Sequence, residues 1–103
     1  KFYKQLSFIY FNMDNKITNP DQVIERLKTE LTKYGLHYQD DSDEDVSRKS
    51  ILRGSREIAR VTAVSGRRLE IIVFERDEKR NIMDVAEDLR EKLEITYKIL
   101  RVY

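Results

Sequence analysis

The chain has 103 residues, room for one domain built on one core. With 38% charged residues, 40% apolar residues and a formal charge of +1, it groups with soluble globular domains rather than disordered, fibrous or disulfide-stapled chains. The absence of cysteine excludes disulfides, thiolate chemistry and the usual zinc sites. No apolar run approaches the ~18 residues of a membrane span, and no N-terminal signal pattern is visible. The expectation is an intracellular, cytoplasmic protein, with peripheral attachment as its only membrane option, and the first residue, Lys1, leaves room for a domain cut from a longer chain.

The segment from Phe2 to Met13 is rich in aromatic and branched residues, with Leu6, Phe8 and Tyr10 alternating against Ser7, Ile9 and Phe11. This predicts a strand with two largely buried faces. Asn19-Pro20-Asp21-Gln22 supplies a side-chain cap, a proline at the first helical position, an acid for the helix dipole and a capping-box glutamine. Val23, Ile24, Leu27, Leu31 and Tyr34 then recur at helical spacing, and Gly35 stands where a left-handed cap is needed, so the helix should end at Tyr34. A short strand is expected near Leu36 to Gln39, followed by a mobile acidic and basic loop over residues 40–55.

From Arg56 the period changes to two. Ala59, Val61 and Ala63 alternate with Ile58, Arg60, Thr62 and Val64, and Leu69, Ile71 and Val73 with Glu70, Ile72 and Phe74, which makes a hairpin joined at Ser65-Gly66. A two-residue loop would set Ala63 opposite Arg68. A three-residue loop, pairing Ala63 with Leu69, Val61 with Ile71 and Ala59 with Val73, keeps one apolar face and is preferred. After a charged turn, Asn81 and Asp84 resemble a helix start, and Ile82, Val85, Ala86, Leu89 and Leu93 form its apolar stripe. Asp88 and Lys92 sit at pairing distance on its exposed side. Residues 96–103 read as a final strand, with a continued helix as the alternative. The expected architecture is α+β, one domain over residues 1–103. An antiparallel sheet of four to five strands carries two helices on one face, in the order β-α-(β)-β-β-α-β.

Catalytic chemistry is hard to find in this chain. It has one histidine, His37, no Gly-x-Ser-x-Gly elbow, no phosphate loop and no dinucleotide fingerprint. Asp40 to Asp45 holds five acids in six positions but lacks the ligand spacing of a calcium loop, so no catalytic residue, metal or cofactor is expected. Ser42 within that run suits an acidophilic protein kinase. By contrast, ten of the twenty Lys/Arg fall between Arg48 and Arg80, against five acids. Arg67 and Arg68 at the hairpin tip and Lys79 and Arg80 before the second helix would, if they converge, form a phosphate-sized trap, extended by Arg53, Arg56 and Arg60.

The pattern resembles a kinase-associated domain, the small module that ends the microtubule-affinity-regulating, septin-associated and checkpoint kinases. What carries the resemblance is Asn19 to Leu27 leading to Tyr34-Gly35-Leu36-His37-Tyr38, then Ala59 to Val64 with Leu69 to Arg76, and the helix from Ile82 to Leu93. The resemblance implies a sheet with two helices, no catalysis, and binding to anionic phospholipid headgroups or an acidic surface of a kinase domain, with Arg67, Arg68, Lys79 and Arg80 at the matching basic places. A regulatory or targeting module of this kind is the reading adopted, with the acidic run competing for the basic face. The alternative is a ferredoxin-like domain for protein assembly or, less favoured because the strand around Gly66 lacks stacking aromatics, RNA binding. Homo-oligomerisation through strand 2–13 is open under both readings.

Overall fold

Asn19 closes the N-terminus of the first helix by accepting from the Gln22 amide at 3.0 Å, while the Gln22 side chain accepts from the Asn19 amide at 2.9 Å. The computed structural model to which these distances belong describes residues 6–13, 19–41, 43, 48–65 and 67–102. The helix, α1, spans Pro20–Thr32. Its exit is a Schellman turn, with the Leu36 amide on the Leu31 carbonyl at 3.1 Å and Gly35 at φ +71°, where a side chain would be strained.

The strands are β1 (Leu6–Asn12), β2 (His37–Asp40), β3 (Lys49–Arg53), β4 (Arg56–Ser65), β5 (Arg68–Val73) and β6 (Thr96–Val102), and the second helix, α2, covers Lys79–Leu93 after a 3₁₀ turn at Arg76–Glu78. They form one sheet in the order β2-β3-β4-β5-β1-β6, and each ladder is antiparallel. The expected hairpin register is present: Ala59 faces Val73, Val61 faces Ile71 and Ala63 faces Leu69. The means differ from expectation, since the register shifts between Ala63 and Ser65 and Ser65 then pairs with Arg68.

Period-two burial explains why both helices share one side. Ile9 and Phe11 of β1, Leu69, Ile71 and Val73 of β5, Ala59 and Val61 of β4 and Ile51 of β3 are all buried, in one cluster with Val23, Leu27 and Leu31 of α1 and Ile82, Val85, Ala86 and Leu89 of α2. Ile58 joins Ala59 inside because Ile51 pairs with Ala59 while Leu52 pairs with Glu57, leaving Ile58 as the extra residue of a bulge. Each large side chain in this cluster contributes about 1.5–3 kcal/mol by burial. Truncating Ile71, near the middle of the sheet, should cost about 2–5 kcal/mol.

Three sequence expectations need correction. The sheet has six strands rather than four to five, because β3 lies inside the segment expected to be a mobile loop at 40–55. α2 begins at Lys79 rather than Asn81, and the Asn81 side chain donates to Glu78 instead of capping the helix. Lys92 bonds Glu30 of α1 at 2.6 Å rather than Asp88. The strands that each helix joins, β1 with β2 and β5 with β6, are not neighbours and each ladder is antiparallel, an arrangement compatible with the split βαβ units of the ferredoxin-like alternative. The terminal segment is a strand through Val102. β1 is hydrogen-bonded to β5 and β6 on its two sides, so Leu6–Asn12 offers no free edge to the association expected through strand 2–13; residues 2–5 of that strand lie outside the described residues.

Glu30 joins the two helices. Its side chain is fully shielded, accepts from Lys33 at 2.7 Å and Lys92 at 2.6 Å, and has Arg26 at 3.3 Å. Burial pushes its carboxyl up, but the hydrogen bonds from the two lysines outweigh that and hold it at about 2.

Candidate functional site

Two helices cover one face of the sheet and leave the other open. On the open face, register aligns Arg60, Ile72, Phe8 and Leu100 across β4, β5, β1 and β6. The next row is Thr62, Glu70, Tyr10 and Lys98, and the one beyond holds Arg68, Asn12 and Thr96. Phe8, Tyr10, Ile72 and Phe74 are partly exposed, and Leu100 is 53% exposed. The face therefore presents a half-buried aromatic and aliphatic band that none of the described residues covers, where the sequence reading expected a strand buried on both sides.

Cations and rings are interleaved on this face. Phe8 and Tyr10 stack with centroids 6.4 Å apart. The Arg68 guanidinium lies 5.5 Å from the Tyr10 centroid and donates to Asn12 at 3.1 Å, and the Arg60 guanidinium lies 5.5 Å from the Phe74 centroid. Such contacts are worth about 0.5–1 kcal/mol at exposed sites and favour arginines placed over the rings. Arg60 also donates to Glu57 at 2.8 Å. That bond, with one from the Ser50 hydroxyl, keeps the Glu57 carboxyl below its usual range against the effect of burial. Desolvation, and a hydrogen bond to Glu70, push the Tyr10 hydroxyl above its usual value.

The anion trap expected from sequence does not assemble. Arg67 and Arg68 lie at one end of β5, Lys79 and Arg80 beyond the other, and at about 3.3 Å per residue the six-residue strand holds them roughly 17 Å or more apart. Arg53 is a structural tie. It donates through Nη2 to Glu78 at 2.9 Å and to the Tyr34 carbonyl at 3.0 Å, and its Nε also bonds Glu78. Arg53's hydrogen bonds hold the buried Glu78 carboxyl below its usual range. Arg56, at the start of β4, shares that end with Lys79 and Arg80, and Arg60 belongs to the open face. Arg67 donates to the Met13 carbonyl at 3.3 Å. Asp40 and Asp41 fall at the hairpin-tip end, because β2 and β4 run the same way. Ser42 lies outside the described residues.

Two clefts flank these surfaces. One of about 640 Å³ runs along α1, where Asn19 and Gln22 are consumed by the capping box. The other, about 400 Å³, continues the open face over β2 to β4 and contains His37, Gln39, Asp41, Ser50 and Glu57. Its Ser50 and Glu57 bond each other, and Gln39 bonds Asp41, so these groups are already satisfied. Among the described residues no three His, Asp or Glu side chains come together to hold a metal ion, and no helix is long and apolar enough to cross a membrane. The band of Phe8, Tyr10, Ile72, Phe74 and Leu100 was not singled out from the sequence. The signal was present: β1 is aromatic or aliphatic at both parities, β5 adds Ile72 on the face away from Leu69, Ile71 and Val73, and two helices suffice to cover only one face.

Fold and site together define an α+β domain with an open, cation-studded sheet face and no assembled catalytic constellation among the described residues. Comparison with known proteins finds no family model, no curated protein and no solved structure that matches the chain.

Proposed function

We propose that the protein is a non-enzymatic, cytoplasmic docking module that binds an acidic protein surface through its open sheet face. The observation that carries this reading is the row Ile72, Phe8, Leu100 beside Arg60, Arg68 and Lys98, apolar at its centre and cationic around it. Protein interfaces characteristically combine a desolvated aromatic or aliphatic core with a polar rim that includes arginine. An acidic surface of a kinase domain, the partner implied by the resemblance to kinase-associated domains, belongs to this class. Glu70 sits within the face and Glu57 beside it, so a uniformly anionic bilayer or a nucleic-acid backbone would meet repulsion there, whereas a protein can place a cation opposite each. The non-enzymatic part of the reading is supported by Ser50 and Glu57. Their pairing leaves a hydroxyl bonded to a carboxylate held too acidic to act as a strong base.

The test is a peptide-display selection on the full chain, counter-selected on the variant carrying Phe8→Thr and Ile72→Thr, both substitutions keeping strand propensity. Enriched peptides that combine aromatic or aliphatic residues with Asp or Glu, and that lose binding at least tenfold on the variant, would support the reading. Peptides lacking acids, or binding the variant equally well, would overturn it. Sedimentation with phosphatidylserine vesicles and with oligouridine runs in parallel. Salt-sensitive binding of either that requires Phe8 and Ile72 would reassign the face to a membrane or to RNA.

A further inference from the structure

The two edges of the sheet carry opposite charge. One edge is β6, seven residues that pair with β1 without any register shift and contain Lys98 and Arg101 but no acid. The other is β2, four residues ending in Asp40. Its ladder continues through the Asp41 amide on the Arg48 carbonyl at 2.8 Å, and the acidic run follows. A regular edge strand without bulge or proline offers its unpaired backbone groups to another strand.

Strand direction decides what can be added. Since each ladder is antiparallel and the sheet has six strands, β2 and β6 run in opposite directions. A second copy in the same orientation therefore brings its β2 antiparallel to β6 of the first, with the helices of both copies on one side. Two-fold pairing of β6 with β6 would oppose cationic strands, and of β2 with β2 acidic ones, and like charges facing across a ladder are destabilising.

We infer that copies of this chain associate head to tail, β6 of one against β2 of the next, extending a single antiparallel sheet. The pleat narrows the register. Lys98 lies in the open-face row with Tyr10, and Asp41 borders the open-face cleft, so the two can stand opposite each other. In that register Ile99–Val102 faces His37–Asp40 of the next copy, and Leu100, the most exposed large apolar side chain among the described residues, lies opposite Gln39. Such a contact is heterologous, so assembly proceeds beyond a dimer unless the rotation happens to close a ring. The open faces of successive copies then lie side by side.

The chain has no cysteine, which permits a direct test in the 103-residue chain as it stands. Lys98→Cys and Asp41→Cys are made separately, mixed and oxidised, with Thr62→Cys on the open face as the collision control. Opposed strand positions bring Cβ atoms about 4.5–5.5 Å apart, close enough for a disulfide with small adjustment. The expected result is covalent dimer from the mixture at least fivefold above either variant alone or the control, and a ladder of higher species from the doubly substituted chain. Sedimentation velocity of the native chain should show mass rising with concentration and falling with salt. Lys98→Asp should abolish that rise and added Asp41→Lys restore it. Crosslinking by the Lys98→Cys protein alone would indicate a two-fold edge and overturn the inference, as would a protein that stays monomeric at every concentration and crosslinks no better than the control.

Discussion

Replacing Glu30 by glutamine removes one charge and almost no volume from the point where α1 meets α2. The wild-type carboxylate is fully shielded, whereas Arg26, Lys33 and Lys92 around it are each roughly half exposed. A carboxyl lowered from 4.5 to about 2 sets a ceiling of about 3 kcal/mol on its pH-linked stabilisation, at 1.36 kcal/mol per pKa unit. Because the partners can rehydrate once the charge is gone, the expected loss at neutral pH is smaller, about 1–2 kcal/mol. Glutamine also places an amide donor among three cations, so little of the loss is recovered.

The sign of the pH dependence follows from the lowered folded-state value. The stabilisation is fully present above about 4.5, the unfolded carboxyl's value, and is lost as pH falls toward about 2. Urea unfolding of wild type and Glu30→Gln at neutral pH, and again near pH 3, should show the difference shrinking by roughly half. Adding Lys92→Met to both backgrounds gives a cycle whose coupling should also fall with pH. A destabilisation equal at both pH values would mean that the substitution acts through packing, and none at neutral pH would mean that the Glu30 cluster does not hold the helices together.

Other substitutions probe separate parts of the fold. Arg53→Met leaves the buried Glu78 carboxylate with only Asn81 and should cost about 2–3 kcal/mol by urea unfolding; adding Glu78→Gln should recover part of that loss. The Tyr38 hydroxyl is buried without a hydrogen-bond partner, and burial pushes it up to about 12. Spectrophotometric titration should therefore lose its most alkaline phenol in Tyr38→Phe, a variant at least as stable as wild type. Gly35 and Gly54 both have positive φ, but a Cβ on Gly35 would meet Arg53 Nη1 at 3.2 Å and one on Gly54 would meet open space. Gly54→Ala should cost about 1 kcal/mol and Gly35→Ala more, because it also displaces the guanidinium that holds Glu78 and Tyr34. Equal losses would place the whole effect in backbone strain.

What the sequence made legible was whatever a local pattern encodes. Asn19-Pro20 and Gly35 mark α1, alternation marks β4 and β5 with their register, and the stripe from Ile82 to Leu93 marks α2. β3 was hidden because Lys49–Arg53 has just two apolar residues, flanked by cations. Ile51 is a strand residue by virtue of what lies over it, not of its neighbours in sequence. The basic cluster misled for a related reason. Ten cations between Arg48 and Arg80 look like one surface when counted along the chain. Antiparallel strands carry consecutive turns to opposite ends of the sheet, so Arg67 and Lys79 are separated by the full length of β5. Arg53 and Arg60 face acids that lie far away or on the next turn of the same strand, and no count of charge reveals that they are already bonded.

The charge asymmetry survives in another form. The acids of the Asp40 to Asp45 run begin at the β2 edge, and the cations of β6 mark the opposite edge, with the four remaining strands in between. One chain cannot bring its own two edges together without closing the sheet, but two chains can, which converts an intramolecular separation into an intermolecular match. If copies join this way, the docking faces are repeated in one plane. A partner with several acidic sites would then bind more tightly than the affinity of one face predicts, by the effective concentration of the neighbouring copy. Phe8→Thr with Ile72→Thr lies on strands inside the sheet and should weaken each face without altering Lys98–Asp41 crosslinking. Asp41→Lys, at the β2 edge and outside the rows of the docking face, should break the array while leaving each face unchanged. Loss of both properties in either variant would show that edge and face are one surface, not two.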